Sequence, residues 1–241
     1  MHKSYSFYPL GDSAVLVQLA EKVSLSVHRQ IIRLVRQLAQ YPFPGFIECI
    51  PSYTTVAVYY DLEQVGPAEG FDTRYAYICS LLEPLLEQDD SEKMMPGNSA
   101  EIIDVPVCYG QEFGPDLGYV ADWNKLSVED VIRIHTEQDY LIYAIGFAPG
   151  FPYMGGMSEL IATPRKETPR LQVASGSVGI AGTQTGIYPI ETPGGWQIIG
   201  RTPLSLFRTD HRPPTLLQGG QYIRFRSIGR AEYERLKDVS R

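Results

Sequence analysis

The sequence predicts two domains, a small α+β sandwich followed by a mainly β domain, and three observations carry that reading. At 241 residues the chain exceeds the ~100 to 200 residues usual for one domain, although one large β domain would also fit. The N-terminal part alternates strand-like and helix-like apolar periods, whereas the C-terminal part breaks into short apolar runs punctuated by Gly and Pro. Between them lies a polar, breaker-rich stretch from Asp89 to Ala100 (DDSEKMMPGNSA), which reads as a linker. An apolar fraction of 44% and a charged fraction of 20% suit a globular chain that buries cores and folds by itself.

The first strand is expected from Ala14 to Leu19, a β-branched run after the turn-forming Gly11-Asp12-Ser13. From Ser24 the apolar residues Val27, Ile31, Leu34, Val35 and Leu38 recur at helical steps, so a helix follows and ends before Pro42. Phe46 to Ile50 and Thr54 to Tyr60 read as a hairpin joined by Pro51-Ser52-Tyr53. A second helix, Asp72 to Glu87, carries Tyr75, Ile78, Leu82, Leu85 and Leu86, and Pro84 is expected to break or kink it. A strand from Ile102 to Val107 follows the linker, either closing this βαββα unit or opening the next. Beyond it come one helix, Ser127 to Glu137, and short strands at Tyr140 to Ile145, Ser177 to Ala181, Trp196 to Ile199 and Tyr222 to Arg226. Many short strands with frequent turns indicate a barrel or sandwich.

Charge and cysteine usage exclude several functions. The net charge is −7, and nine acids face one base between Asp61 and Glu92, which argues against a nucleic-acid surface. The tail from Arg208 to Arg241 is locally basic, with eight Lys or Arg against four acids, and reads as a solvated face. Cys49, Cys79 and Cys108 form no CxxC pair, so reduced thiols in a cytoplasmic protein are expected, with no disulfide framework and no metal site. No stretch approaches the ~18 apolar residues of a membrane span.

The chemistry is expected in the block Gly146 to Gly200, which holds eleven of the 22 glycines and six prolines. Two readings stand open: tight turns between short strands, or Gly-turn amides aimed at an anion or polarised carbonyl. The run from Ala174 to Gly182 lacks the Lys-Ser/Thr of a phosphate loop, and GxGxxG and GxSxG are also absent. Ser175 and Ser177 therefore read as turn and strand residues before nucleophiles. His135 falls on the inward stripe of its helix, seven residues after Val128 and four after Val131, as either a proton shuttle or a satisfied core histidine. His2, His28 and His211 read as surface residues. Arg165, Lys166 and Arg170 sit on Pro-restrained loop backbone suited to gripping a carboxylate. Gln184, Tyr188 and Trp196 offer polar and stacking contacts, and Phe147, Phe151 and Tyr153 offer apolar walls.

Gly146-Phe147-Ala148-Pro149-Gly150-Phe151-Pro152-Tyr153, the Gly-Ser-Val-Gly-Ile-Ala-Gly run and Thr192-Pro193-Gly194-Gly195-Trp196-Gln197-Ile198-Ile199-Gly200-Arg201-Thr202-Pro203 closely resemble the allophanate hydrolase subunit 1 family. The likeness extends from Leu10-Gly11-Asp12-Ser13-Ala14 to the tail. It implies an α+β N-terminal domain of βαββα type over 1–95 and a mainly β, cyclophilin-like barrel over 100–241. It further implies a cytoplasmic bacterial protein working beside the A and C partner subunits of a 5-oxoprolinase that opens 5-oxo-L-proline to L-glutamate. ATP would be used by that complex, since no nucleotide motif lies in this chain. Kinase-inhibitor members of the family, matched around Phe46 to Pro51 and Cys108 to Leu117, imply an alternative partner, a sensor histidine kinase whose autophosphorylation the chain would block. On the family pattern His135 and Arg165 are the catalytic candidates. Gly176, Ser177, Gly179, Gln184, Tyr188, Gly194, Gly195 and Trp196 are the candidate substrate-binding set.

Overall fold

Two separate apolar cores form along the chain, and the computed structural model, which describes residues 5–66, 70–87 and 102–239, divides into two compact units, Met1–Gly97 and Asn98–Arg241. The stretch expected to be a linker lies outside the described residues.

In the first unit the strands β1 (Ser6–Pro9), β2 (Ala14–Gln18), β3 (Phe46–Pro51) and β4 (Thr55–Tyr60) form an antiparallel sheet in the order β1-β2-β4-β3. The helix α1 (Leu25–Gln40) begins where the Ser24 hydroxyl accepts the Val27 amide, and it buries Ile31, Leu34 and Leu38. Each such aliphatic side chain removed from water contributes about 1.5–3 kcal/mol. A short helix α2 (Leu62–Val65) leads to α3 (Arg74–Glu87), whose Ile78 and Leu82 complete the core with Val15, Val17, Val56, Val58 and Tyr60.

Three expectations change here. Pro84 sits inside α3 without ending it, because Pro84 is exposed while Leu82 and Ile78 anchor the same helix in the core. Pro51 lies within β3, which tolerates it because β3 is an edge strand. His28 is buried, one turn before Ile31 on the inward face of α1, and burial lowers its pKa.

The second unit is built on a seven-stranded sheet in the order β10-β9-β12-β5-β13-β6-β7. Its strands are β5 (Ile102–Tyr109), β6 (Asp139–Ile145), β7 (Pro152–Gly155), β9 (Ser177–Ala181), β10 (Gln184–Ile187), β12 (Gln197–Arg201) and β13 (Tyr222–Ser227). Strand β5 thus belongs to this sheet and does not close the first one. It pairs parallel with β13; the other ladders are antiparallel. The outer strands β10 and β7 lie against each other, so the sheet curls into a nearly closed, barrel-like form. A separate ribbon pairs β8 (Arg170–Val173) with β11 (Thr192–Gly194).

Helices α4 (Leu117–Asn124) and α5 (Val128–Thr136) pack Val120, Ala121, Val131 and Ile134 onto the barrel core of Val105, Val107, Ile142, Val178, Ile180, Ile199, Ile223 and Phe225. The C-terminal helix α6 (Arg230–Val239) seats Tyr233 beside Phe113. Among the described residues no helix is long and apolar enough to cross a membrane, and no group of three or more His, Cys, Asp or Glu is placed to hold a metal ion.

Candidate functional site

The Gly-Pro block forms an aromatic cleft of about 330 Å³. The turn from Gly146 to Phe151 folds on itself, the Gly146 amide reaching the Phe151 carbonyl and the Phe151 amide reaching Ala148. Phe151, buried just before β7, is the hub. Its ring meets Phe147, Tyr153, Tyr188 and Trp196 edge to face, with centroids 5.1–5.8 Å apart. Backbone must come close for these rings to meet, and glycine permits it twice. A Cβ on Gly186 would stand 2.9 Å from both Phe151 and Trp196, and one on Gly194 would overlap the Tyr188 hydroxyl.

The opposite wall is the loop 164–169 with Gly194 and Gly195. The Lys166 amide donates to the Gly195 carbonyl at 2.7 Å, and the Gln197 side chain donates to the Pro164 carbonyl at 2.9 Å, which fixes the loop to the start of β12. Arg165 is exposed at the rim with its guanidinium 6.0 Å from the Trp196 ring centroid, and it makes no ion pair among the described residues. Lys166 and Arg170 differ, because both are tied to Asp116, at 3.4 Å and by a short bond to Oδ1 respectively. The second Asp116 oxygen accepts the Ile198 amide at 2.6 Å, so this nearly buried carboxylate braces loop, ribbon and β12 together. Burial raises the Tyr188 pKa, opposed by the Trp196 backbone and by Arg165 and Arg170, and the phenol remains a donor at neutral pH.

Of the residues expected at the site, Arg165, Tyr188, Gly194, Gly195 and Trp196 line this cleft, together with Phe147, Phe151 and Tyr153. Gly176 lines a different groove, Ser177 and Gly179 lie inside the buried strand β9 between β10 and β12, and Gln184 starts β10 away from the cleft lining. The glycine run is therefore strand and turn, not an amide nest, because its backbone is engaged in ladders on both sides.

His135 stands in the core, fully excluded from solvent, stacked on Phe225 at 4.4 Å. Its partners settle the tautomer. The Thr185 hydroxyl donates to the Gly179 carbonyl, so His135 Nε2 donates to Thr185 Oγ1 at 2.9 Å and Nδ1 accepts from the Tyr109 hydroxyl at 2.8 Å. Burial lowers its pKa to about 3. The expected proton transfer finds no route here, since both ring nitrogens are engaged and the ring does not line the cleft.

Sequence reasoning missed Asp116, because nothing near Gly114-Pro115-Asp116 points to partners 50 or more residues away. It also missed Pro169 and Pro193 as cleft walls.

Residues 5–217 match the family model described as carboxyltransferase domain, subdomain C and D. The chain belongs to that family. It is 45% identical over 238 residues to the 5-oxoprolinase B subunit of Bacillus subtilis (strain 168), covering 98% of each chain. Among solved structures it resembles TTHA0988 at 30% identity with a TM-score of 0.75, covering 90% of this chain but only 40% of that one. The urea carboxylase of Kluyveromyces lactis shares the fold at 19% identity and a TM-score of 0.73, and this chain spans 23% of its length. The fold thus occurs both as a chain of this length and inside longer ones. The family resemblance read from the Gly-Phe-Ala-Pro-Gly-Phe and Pro-Gly-Gly-Trp motifs is shown by these matches.

Proposed function

We propose that this chain is the B subunit of an ATP-dependent 5-oxoprolinase and that the aromatic cleft holds the lactam or an activated form of it. The observation that carries the reading is Arg165, a cation without an ion-pair partner among the described residues, held over Trp196 at the rim of an apolar cleft with room for a small cyclic acid. A five-membered ring packs against Phe151, Tyr188 and Trp196, its carboxylate meets the Arg165 guanidinium, and the Tyr188 hydroxyl donates to the lactam carbonyl oxygen. The likeness to the Bacillus subtilis protein over nearly the whole of both chains supports the assignment. The A and C subunits supply what this chain lacks, including the groups that handle ATP, and the working complex is cytoplasmic. In this reading the chain is an α+β domain over 1–95 followed by a cyclophilin-like barrel over 100–241, and the division into two compact units supports it.

Reconstitution tests the proposal. ATP-dependent glutamate release is measured with all three subunits and with each omitted in turn. Activity requires this chain, and Arg165→Ala raises KM by about 10- to 100-fold, the scale of one charge-assisted hydrogen bond. Undiminished turnover without this chain would overturn the assignment. An unchanged KM in Arg165→Ala would instead remove the cleft as the substrate site.

A further inference from the structure

A second groove, of about 640 Å³, lies where four segments of the second unit converge: the turn at Ser175 and Gly176, the stretch Thr202–Ser205 after β12, the loop around Arg208, and the face of α6 that presents Tyr233 and Lys237 one turn apart. Its polar groups are unbalanced. Ser175 and Ser205 have already given their hydroxyl protons to the carbonyls of Pro189 and Phe207. Thr202 and Tyr233 have not. Thr202 is 2% exposed and its oxygen accepts the Leu204 amide, which leaves its O–H without an acceptor among the described residues. Tyr233 is 4% exposed, and burial raises the pKa of its hydroxyl, which keeps its proton and has no carbonyl or carboxylate acceptor among the described residues. Arg201 Nε, at the end of β12, is buried with no hydrogen-bond partner among the described residues. Arg208 and Lys237 add two cations that make no ion pair among the described residues, while the carboxylate in the lining, Asp210, is turned to His211 at 3.0 Å.

Buried donors without acceptors are expensive unless something supplies the acceptor. We propose that this groove binds a phosphoryl group. Two cations, Arg208 and Lys237, against one carboxylate, Asp210, leave the lining formally positive, and with the Thr202 and Tyr233 hydroxyls free to donate it suits an anion with several acceptor oxygens. The donors come from the stretch after β12, the loop around Arg208 and helix α6, so several can reach one group with more than two acceptor oxygens. The site is independent of the aromatic cleft, since the two share no lining residue. It also gives a use to two cations of the basic tail, Arg208 and Lys237.

The test is calorimetric titration of the full chain with inorganic phosphate at constant ionic strength, beside acetate, ATP and adenosine. Phosphate binds at one site and acetate at least about tenfold more weakly. Arg208→Ala and Lys237→Ala each weaken phosphate about tenfold, as loss of one charge-assisted contact should, without lowering Tm, and Arg165→Ala leaves it unchanged. ATP binding more than about tenfold tighter than phosphate, with adenosine silent, assigns the phosphoryl group to a nucleotide; ATP no tighter than phosphate assigns it to free phosphate or a monoester. No phosphate binding at about 10 mM, equal binding by acetate, or equal affinity in the Arg208→Ala/Lys237→Ala double variant overturns the proposal. Loss of phosphate binding in Arg165→Ala would move the anion to the aromatic cleft and overturn it as well.

Discussion

At the scale of single residues, His135 shows how burial converts a candidate catalyst into a fold-specifying group. Its hydrogen bonds run in one direction, from Tyr109 to Nδ1, from Nε2 to Thr185 and from Thr185 to the Gly179 carbonyl, and only the neutral ring satisfies all of them. The folded pKa of about 3 lies below the ordinary value of 6.5. A depressed pKa means that stability from the neutral ring is full above about 6.5 and is lost as pH falls through the interval toward 3. Between pH 7 and pH 5 that loss amounts to about 2 kcal/mol. Urea unfolding of the wild type and of His135→Gln checks it. The variant is less stable at pH 7, yet its decline to pH 5 is smaller by about 2 kcal/mol; parallel declines would show that His135 is not the titrating group. A second residue-scale prediction concerns Gly194. Gly194→Ala drives a methyl into the Tyr188 hydroxyl, and such overpacking costs about 1–3 kcal/mol. Thermal unfolding should register the loss, with altered Trp196 fluorescence because Tyr188 and Trp196 meet edge to face at 6.3 Å.

At the scale of elements, Asp116 joins parts of the chain that sequence keeps far apart. It precedes α4 where an N-cap would stand, but its side chain caps nothing there and instead accepts from Arg170, Lys166 and the Ile198 amide. Asp116→Ala leaves two cations and one amide facing a lost carboxylate, and the expected loss is about 3 kcal/mol, at the low end for a broken buried pair because Lys166 and Arg170 remain partly solvated. Adding Arg170→Met should recover part of it, and chemical denaturation of the single and double variants measures the recovery. The same contrast between local and distant partners explains which elements are legible in the sequence. Helices α1 and α5 have clean apolar stripes with Ser caps, and both are readable from spacing. Helix α4 is not, because Gly118, Asp122 and Asn124 weaken its propensity and its packing rests on Val120 and Ala121 alone in the middle of the element. Strand β1 is not, because it is a mostly exposed edge strand without alternation. The cleft is legible as a concentration of aromatics, Gly and Pro between 146 and 200, but not as a shape. Which of those residues face one another depends on β7, β10 and β12 meeting in three dimensions, and that pairing is non-local.

At the scale of the molecule, both candidate ligand sites lie in the second unit, built on a core of 20 buried residues of its own, against 12 in the first. A unit of that size with an almost closed sheet has few unpaired strand edges and enough apolar burial to fold alone. The expression of residues 98–241 by themselves therefore gives a protein that unfolds cooperatively and binds phosphate within about threefold of the full chain, since none of the groove's donors comes from the first unit. Calorimetry on the fragment and the full chain under one buffer makes the comparison. A fragment without a cooperative transition would show that the first unit is needed to complete the barrel's stability. A folded fragment that has lost phosphate affinity would show that residues 1–97 shape the groove at a distance. If the fragment both folds and binds, the first unit, with its four-stranded sheet and no candidate pocket lining among the described residues, is left for a task other than holding ligand, and contact with partner subunits is the one the proposed complex requires.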